Sequence, residues 1–269
     1  MKIPVFPNLG NTCYVNSVLQ CFIHNPQLKQ LAIDTPFVQE LNKITNVVDL
    51  NQNGEYTAII YNLKDFIKCL PFKRFEQQDA HEFILYFLDS INNESLYHGT
   101  TRTDICCLNC QTIKNVYEKF NSINLSIPLE KSNLTELLVK YFEKELYDQP
   151  DNLYMCDNCK SLNKYTKRIF LHVLPETLII VLKRYTPNGT KIIAEVEIDK
   201  TLKIKETSTG LIKTFNLIGT INHSGNLYNG HYTNFIFIND KWMYIDDQMV
   251  KVESFNYNDC YILFYDLVE

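Results

Sequence analysis

Long apolar runs and low-complexity stretches are missing from this sequence. No stretch of eighteen apolar residues occurs, so we expect no membrane span. The first ten residues, MKIPVFPNLG, have one lysine but neither an apolar core nor a small-residue cleavage site. We therefore expect no signal peptide and a cytoplasmic or nuclear location. Only 8 glycines and 9 prolines are present, and no linker or internal repeat interrupts the chain.

Positive charge is also in short supply. The 269 residues include 26 Lys and Arg against 31 Asp and Glu, which gives a net charge of −5. Nucleic-acid-binding surfaces need clustered Lys and Arg, so we expect no nucleic-acid partner. Apolar residues make up 45% of the sequence, the usual share for a globular protein, and a chain of this length buries a substantial core.

Apolar periodicity divides the chain into a helical first third and a strand-rich remainder. Three early stretches repeat apolar side chains at three- and four-residue steps and predict helices over 11–24, 58–70 and 77–91. Asn11 or Thr12 can cap the first of these. Later β-branched and aromatic runs predict strands over 104–127, 165–184 and most of 190–266.

Two local signals refine this α+β prediction. Residues 132–144 predict one helix among the strands, capped by Ser132 or Asn133. Asn239-Asp240 stands between two apolar runs and predicts a tight hairpin turn. The pattern indicates a helical lobe followed by a sheet-rich lobe.

The nine cysteines do not suit a disulfide framework, because their number is odd and we expect no secretion signal. Four of them form two Cys-x-x-Cys pairs, Cys107 with Cys110 and Cys156 with Cys159. Each two-residue gap lets one tight turn present two thiolates to one tetrahedral Zn²⁺. Cys106 would pair with Asn109, a poor zinc ligand, so Cys107 is assigned. Four thiolates leave no open position, which predicts a structural zinc.

Cys13 lies in NLGNTCY, at the first turn of the first predicted helix. A thiol attacks as its thiolate, and the partial positive charge of a helix N-terminus favours that form. Gly10 permits a tight turn whose free amides can donate to an oxyanion, and Asn8 can add a side-chain N–H. From this segment alone, a buried structural cysteine is an equally good interpretation.

A thiol nucleophile needs a base and a group that orients it. His231, in NGHY at the start of an apolar strand, is the candidate base, and His223 before the same loop is its competitor. Strand alternation puts Asp246 and Asp247 on opposite sides, and Asp246 is the candidate orienting group. Taken alone, these residues also match a structural histidine and a turn.

Together these segments resemble the catalytic core of the ubiquitin-specific protease family of deubiquitinases. FPNLGNTCYVNSVLQCF is similar to the family's cysteine box, and EQQDAHEFILYFLD is similar to its glutamine/aspartate box. YMCDNCK and LPETLIIVLKRY follow the family pattern, while HSGNLYNGHYTNF and KWMYIDDQMV resemble the histidine box and the aspartate segment. The match runs in the family's order from about residue 6 to residue 266.

The resemblance implies a papain-like cysteine protease with a helical thumb, an antiparallel-sheet palm and zinc-ribbon fingers. One catalytic domain would span 1–269. Within it, the thumb would cover about 1–100, the fingers with their inserted helix about 101–170, and the palm about 171–269. The chain is shorter than most catalytic cores of the family, so loops around the ubiquitin channel should be trimmed.

The same resemblance implies a role for individual residues. The catalytic set is Cys13 as nucleophile, His231 as base, Asp246 as orienting group and Asn8 as oxyanion donor. For substrate binding it implies that acidic positions pair with arginines of the ubiquitin tail, and we assign Asp79, Glu82, Gln78 and Tyr232. The implied zinc ligands are Cys107, Cys110, Cys156 and Cys159.

The implied function is hydrolysis of isopeptide or peptide bonds at the C-terminal glycine of ubiquitin, through a thioester. The expected partners are ubiquitin and ubiquitinated proteins, and we expect a monomer. Two alternatives stay open. The first is a protease for a ubiquitin-like modifier, and the second is a zinc-stabilised ubiquitin-binding module without catalysis.

Overall fold

The computed structural model describes residues 1–25, 28, 31, 34–48, 56–73, 75–92 and 94–268. Its helices are α1 (Cys13–Phe22), α2 (Pro36–Thr45), α3 (Lys64–Lys68), α4 (Ala80–Ile91), α5 (Glu94–Tyr97) and α6 (Leu134–Tyr141). Among the residues described, none of the helices has the length and apolar character needed to cross a membrane.

The strands follow mainly after α5, as the sequence predicts. In chain order they are β1 (Lys2–Val5), β2 (Thr57–Ile60), β3 (Gly99–Cys107), β4 (Ile113–Phe120), β5 (Ile123–Ser126), β6 (Ser132–Asn133), β7 (Glu145–Tyr147), β8 (Tyr154–Cys156), β9 (Ser161–Asn163), β10 (Tyr165–Val173), β11 (Thr177–Lys183), β12 (Val196–Glu197), β13 (Thr201–Lys205), β14 (Ile212–Gly225), β15 (Gly230–Ile238), β16 (Lys241–Asp246), β17 (Met249–Val252) and β18 (Cys260–Leu267).

Helix α1 forms the centre of the helical part. Every one of its residues is buried, and it packs between α4 on one side and strands β14 and β15 on the other. The rings of Phe22 and Phe87 stack with centroids 4.3 Å apart, which joins α1 to α4. A helix enclosed in this way is held rigidly, so the residue at its N-terminus, Cys13, has a fixed position.

The predicted helices over 11–24 and 77–91 are confirmed as α1 and α4, but the helix predicted over 58–70 is wrong in its first half. Thr57–Ile60 is strand β2, which pairs in parallel with β1. Its backbone is anchored by hydrogen bonds from Thr57 N to Met1 O (2.8 Å) and from Tyr61 N to Val5 O (2.9 Å). The β-branched side chains of this segment suit the extended pairing, and only α3 remains helical.

Helix α2 was not predicted, although the sequence carries its start signal. Thr35 accepts a hydrogen bond from Val38 N, and Pro36 occupies the first helical turn. Phe37, Val38 and Leu41 then face the core. Farther along, Asn133 caps α6 by accepting from Glu136 N at 2.8 Å, which decides between the two predicted caps.

Most of the last third forms one sheet in the order β17-β16-β15-β14-β18-β11-β5, with β13 paired to β14. All its pairs are antiparallel except β11 with β5. Ile179 and Val181 of β11 face the core shared with α1 and α4, and Ile180 faces a second core that includes α6 residues. Both faces of this sheet are therefore covered.

A second sheet, in the order β4-β3-β10-β7, is antiparallel throughout, and β8 pairs with β9 beside it. The predicted turn at Asn239-Asp240 is confirmed. Both residues have positive φ (48° and 61°), and Ile238 pairs with Lys241 in the hairpin of β15 and β16. This hairpin fixes the position of Asp246 relative to His231.

Candidate active site and metal centre

The turn before α1 arranges donors around Cys13, which is 1% exposed. Gly10 (φ 97°) and Asn11 (φ 57°) adopt left-handed backbone conformations there. A Cβ on Gly10 would lie 2.6 Å from the Phe75 ring, so only glycine fits. As the first residue of α1, Cys13 has a backbone N–H without an intrahelical acceptor, and that N–H is available to an oxyanion.

Asn8 is fixed in orientation by this turn. Its Oδ1 accepts hydrogen bonds from the backbone N–H groups of Gly10 and Thr12, each at 3.2 Å. The Nδ2 group therefore points the other way, where one of its protons is donated to Asp247 Oδ2 at 3.1 Å. Within the described part of the chain, the second proton has no protein acceptor.

His231 and Asp246 lie on the adjacent strands β15 and β16. The Nε2–H of His231 donates to Asp246 Oδ1 at 2.6 Å. Since Nε2 is occupied by Asp246, Nδ1 is the ring nitrogen left for another partner. Interaction with the nearby Cys13 side chain raises the pKa of His231 to about 9. The Asp246 hydrogen bond acts in the same direction, and burial opposes both. The imidazole is thus protonated at neutral pH.

His223, the competing histidine, has a different environment. Its Nδ1 contacts Tyr185 Oη at 3.2 Å, and its ring lies against Tyr232 with centroids 4.6 Å apart. Burial, assisted by the charge of Lys191, lowers the pKa of His223 to about 4, so this imidazole is neutral. A Cβ on Gly230 would lie 2.0 Å from His223 Nε2, which explains the glycine just before His231.

Asp247 makes contacts that the sequence analysis did not anticipate. One carboxylate oxygen accepts from Asn8 Nδ2, and the other accepts from Asn16 Nδ2 at 2.7 Å. Its carbonyl accepts from Phe6 N at 3.3 Å. Asp247 therefore joins the end of β16 to residues on both sides of Cys13 in the chain. Only its place next to Asp246 signalled it, because its partners are more than 230 positions away.

The predicted substrate-binding residues divide into two groups. Gln78, Asp79 and Tyr232 line one pocket, together with Tyr185 and His223. Glu82 is exposed on the first turn of α4 and is not part of that lining.

Asp79 also has a structural role at the start of α4. Its Oδ1 caps α4 by accepting from His81 N (2.7 Å) and Glu82 N (3.2 Å), and its Oδ2 accepts from Tyr261 Oη at 2.8 Å. The cap satisfies amides that the helix leaves unpaired. Asp79 is consequently held rigidly at the pocket edge, with lone pairs left for a further donor.

The four cysteines of the two Cys-x-x-Cys pairs meet in one cluster. Their sulfur atoms all lie within 4.8 Å of one another, with Cys107 to Cys159 at 3.9 Å and Cys110 to Cys156 at 3.6 Å. A tetrahedral zinc with sulfur ligands at about 2.3 Å requires sulfurs about 3.8 Å apart. The donor set and its spacing therefore fit a metal ion that prefers four thiolates.

The two cysteine turns have the same backbone design. Gln111 N donates to Cys107 O, and Lys160 N donates to Cys156 O, both at 2.9 Å. Gln111 (φ 59°) and Lys160 (φ 53°) are left-handed at equivalent places. Cys106 is outside the cluster, with its sulfur 3.9 Å from Gln111 O, in agreement with the assignment of Cys107.

Comparison with known proteins gives a family match. The model of the family described as ubiquitin carboxyl-terminal hydrolase matches residues 6–265. The human ubiquitin carboxyl-terminal hydrolase 17-like protein 11 is 28% identical over 294 residues, covering 96% of this chain and 54% of that protein. The human ubiquitin carboxyl-terminal hydrolase 17-like protein 6 is 27% identical, and the match covers 96% of this chain and 73% of that protein. The chain thus spans about half the length of the first of these relatives.

Solved structures give the same fold. The Ubp8/Sgf11/Sus1/Sgf73 module of SAGA bound to ubiquitin aldehyde matches with a TM-score of 0.81 and 26% identity, covering 99% of this chain and 70% of that one. The same module with a Cys-to-Ala variant of Ubp8, bound to monoubiquitin, gives a TM-score of 0.82 at 24% identity and covers 99% of this chain and 69% of that one. At this identity the match is evidence for the fold only. The predicted papain-like α+β fold of ubiquitin-specific proteases is confirmed.

Proposed function

This chain belongs to the ubiquitin carboxyl-terminal hydrolase family, and we propose that it is a cysteine-type deubiquitinase that hydrolyses isopeptide and peptide bonds after the C-terminal glycine of ubiquitin. One observation carries the proposal. Cys13, His231 and Asp246 are far apart in the chain, yet Cys13 is close enough to raise the pKa of His231, and His231 donates a hydrogen bond to Asp246. The Ubp8 module similar to this chain has been solved bound to ubiquitin aldehyde, which supports ubiquitin as the substrate.

In the proposed reaction, the Cys13 thiolate attacks the glycine carbonyl. His231, protonated at neutral pH, gives its proton to the leaving amine and then activates the water that hydrolyses the thioester. Asp246 holds the imidazole so that Nδ1 faces the sulfur. This division of roles requires that His231 keep its proton until the amine departs, which a pKa of about 9 allows.

We assign oxyanion stabilisation to the Cys13 backbone N–H and the second proton of Asn8 Nδ2. Removing one such donor typically costs about 3 kcal/mol of transition-state stabilisation. The orientation of Asn8 supports this assignment, because two backbone amides hold its Oδ1 and so direct its Nδ2 group.

For the ubiquitin tail we propose the pocket lined by Gln78, Asp79 and Tyr232. Tyr232 Oη accepts from Ala80 N at 3.4 Å, which ties the start of α4 to the histidine strand. A side-chain-free Gly-Gly tail suits a narrow passage between them. Asp79 and the exposed Glu82 would pair with basic residues farther up the tail, at about 0.2–1 kcal/mol per exposed pair.

The cysteine cluster is proposed to hold one structural Zn²⁺. Bound there, the ion would contribute folding energy, because the four thiolates leave no coordination position for a substrate. We also propose a thumb (about 1–100), fingers (about 101–170) and a palm (about 171–269). Strand β5 lies within the fingers range but pairs with β11 of the large sheet. A monomeric state and a cytoplasmic or nuclear location belong to the same proposal.

The test is turnover of ubiquitin carrying a C-terminal fluorogenic amide. Wild-type protein should release the fluorophore, Cys13→Ala should not, and Cys69→Ala should behave as wild type, since Cys69 lies at the end of α3. Equal rates for wild type and Cys13→Ala would contradict the proposal. Parallel probes with ubiquitin-like modifiers distinguish the alternative protease, and ubiquitin binding without turnover would favour the non-catalytic module.

A further inference from the structure

A buried amide lies between the helix that carries Cys13 and the strand that carries His231. Asn234 is in β15, three residues after His231, and is 2% exposed. Tyr232 and Ile236, its neighbours on the same face of the strand, belong to the apolar core shared with α1. A polar side chain at such a position is unfavourable unless its hydrogen bonds are made.

Asn234 does make these hydrogen bonds, and they cross from strand to helix. Its Nδ2 group donates to Ser17 O at 2.8 Å and to Thr220 O at 3.2 Å, and it lies 3.4 Å from Cys21 Sγ. One amide therefore joins β15, its neighbour β14 and two positions of α1. The acceptors on α1 are one turn apart, so they define the helix's position along its own axis.

The polar connection continues to the nucleophile. Ser17 Oγ donates to the carbonyl oxygen of Cys13, one turn earlier in α1. A series of hydrogen bonds thus runs from the Cys13 peptide through Ser17 to Asn234, on the strand of His231.

Apolar packing alone would define this interface less sharply. Apolar side chains pack at several nearby registers with similar energy, whereas a buried polar group selects the one register in which its partners are reached. A misplacement of about 1 Å between reacting groups can lower a rate about 100-fold. The register of α1 on β15 sets the separation of the Cys13 sulfur and His231 Nδ1.

We propose that Asn234 is a positioning residue that fixes the register of helix α1 against strand β15 and so keeps the thiol and the imidazole paired. The inference rests on the proposed roles of Cys13 and His231 but not on ubiquitin as the substrate. It concerns a residue that touches neither the substrate nor the reacting atoms.

The experiment compares Asn234→Leu with Ile236→Val, an apolar change two residues away on the same face. The probe is iodoacetamide, and the rate of alkylation of the Cys13 peptide is followed by mass spectrometry from pH 5 to pH 10. Asn234→Leu should alkylate about ten-fold more slowly near pH 7, because the imidazole would no longer be held beside the thiol. Its kcat should fall more than its KM rises, and Ile236→Val should keep the wild-type profile.

Asn234→Ser, which is smaller and keeps one donor, serves as the second variant and should give an intermediate profile. Thermal melting establishes which variants are folded. A folded Asn234 variant with the wild-type alkylation profile would overturn the inference, and so would failure of both variants to fold, because the role would then be stability alone. Wild type without activity on ubiquitin would refute the proposed function, yet the alkylation comparison would still decide the role of Asn234.

Discussion

The cysteine cluster and the active site are assembled in opposite ways. The cluster consists of two short turns of one design, each placing two cysteines near a left-handed residue and a repeated backbone hydrogen bond. The active site joins a helix N-terminus to the ends of two strands more than 200 positions later in the chain. The first depends on local chain geometry, whereas the second depends on how α1 packs against the large sheet.

Because the two regions are assembled independently, we expect a substitution in one to leave the other intact. Damage to a cysteine turn should reduce stability while leaving the hydrogen bond of His231 and Asp246 intact. Damage to the active site should reduce turnover in a protein that still folds. The following expectations test this separation, in order of their effect on turnover.

The largest effect should come from His231→Ala. Removing the residue that donates and accepts the proton should lower kcat/KM by about 10³-fold or more. The matched control is His223→Ala, whose imidazole is neutral and contacts the Tyr185 hydroxyl, and the loss in this variant should be far smaller. Fluorogenic ubiquitin turnover measures both, and equal losses in two folded variants would show that the wrong histidine has been assigned.

Asp246→Asn should come next, with a loss of about 10²-fold and a change in pH dependence. The raised pKa of His231 means that its proton is present below about pH 9 and is lost above it, so wild-type kcat/KM should decline through that range. Without the carboxylate, one of the interactions that raise the pKa is gone. The alkaline limb of the pH profile should therefore move to lower pH. If it does not move, the decline in kcat/KM is not caused by deprotonation of His231.

Asp247→Ala should lower kcat by about ten-fold. It removes the acceptor that holds Asn8 Nδ2 and the link to Asn16 on α1, while leaving Asp246 and His231 in contact. Because the oxyanion donor is affected and the thiol–imidazole pair is not, alkylation of Cys13 by iodoacetamide should proceed as in wild type. Slower alkylation would mean that Asp247 acts on the pair itself.

Cys156→Ser should affect turnover least when assayed at low temperature. Losing one thiolate should abolish zinc binding and lower the melting temperature, because the metal contributes folding energy. Elemental analysis should find about one zinc per wild-type chain. Cys106→Ser is the matched control, since its sulfur lies outside the cluster, and it should keep both zinc and stability. If wild-type protein that was never exposed to a chelator contains no metal, the zinc assignment is wrong.

The same contrast explains what the sequence could predict. The cysteine pairs, the Asn133 cap and the Asn239-Asp240 turn are local, so a few adjacent residues determine them. Strand β2 was misjudged because its partner β1 lies more than fifty positions earlier.

Long-range contacts within the site were equally inaccessible. Asp247 binds Asn8 across 239 positions, and Asn234 binds Ser17 across 217. Neither contact has a signature at one place in the chain. Cys13, His231 and Asp246 could be predicted as a set only because ordered motifs resembling one family surround them, while the spacing of each residue alone also suited a structural role.

The most direct test of the central claim is labelling with ubiquitin that carries a C-terminal electrophile, followed by peptide mapping of the modified cysteine. We expect a single adduct at Cys13, formed more slowly in His231→Ala and at the wild-type rate in Cys106→Ser. An adduct at any of the other eight cysteines, or no adduct on folded wild-type protein, would contradict it.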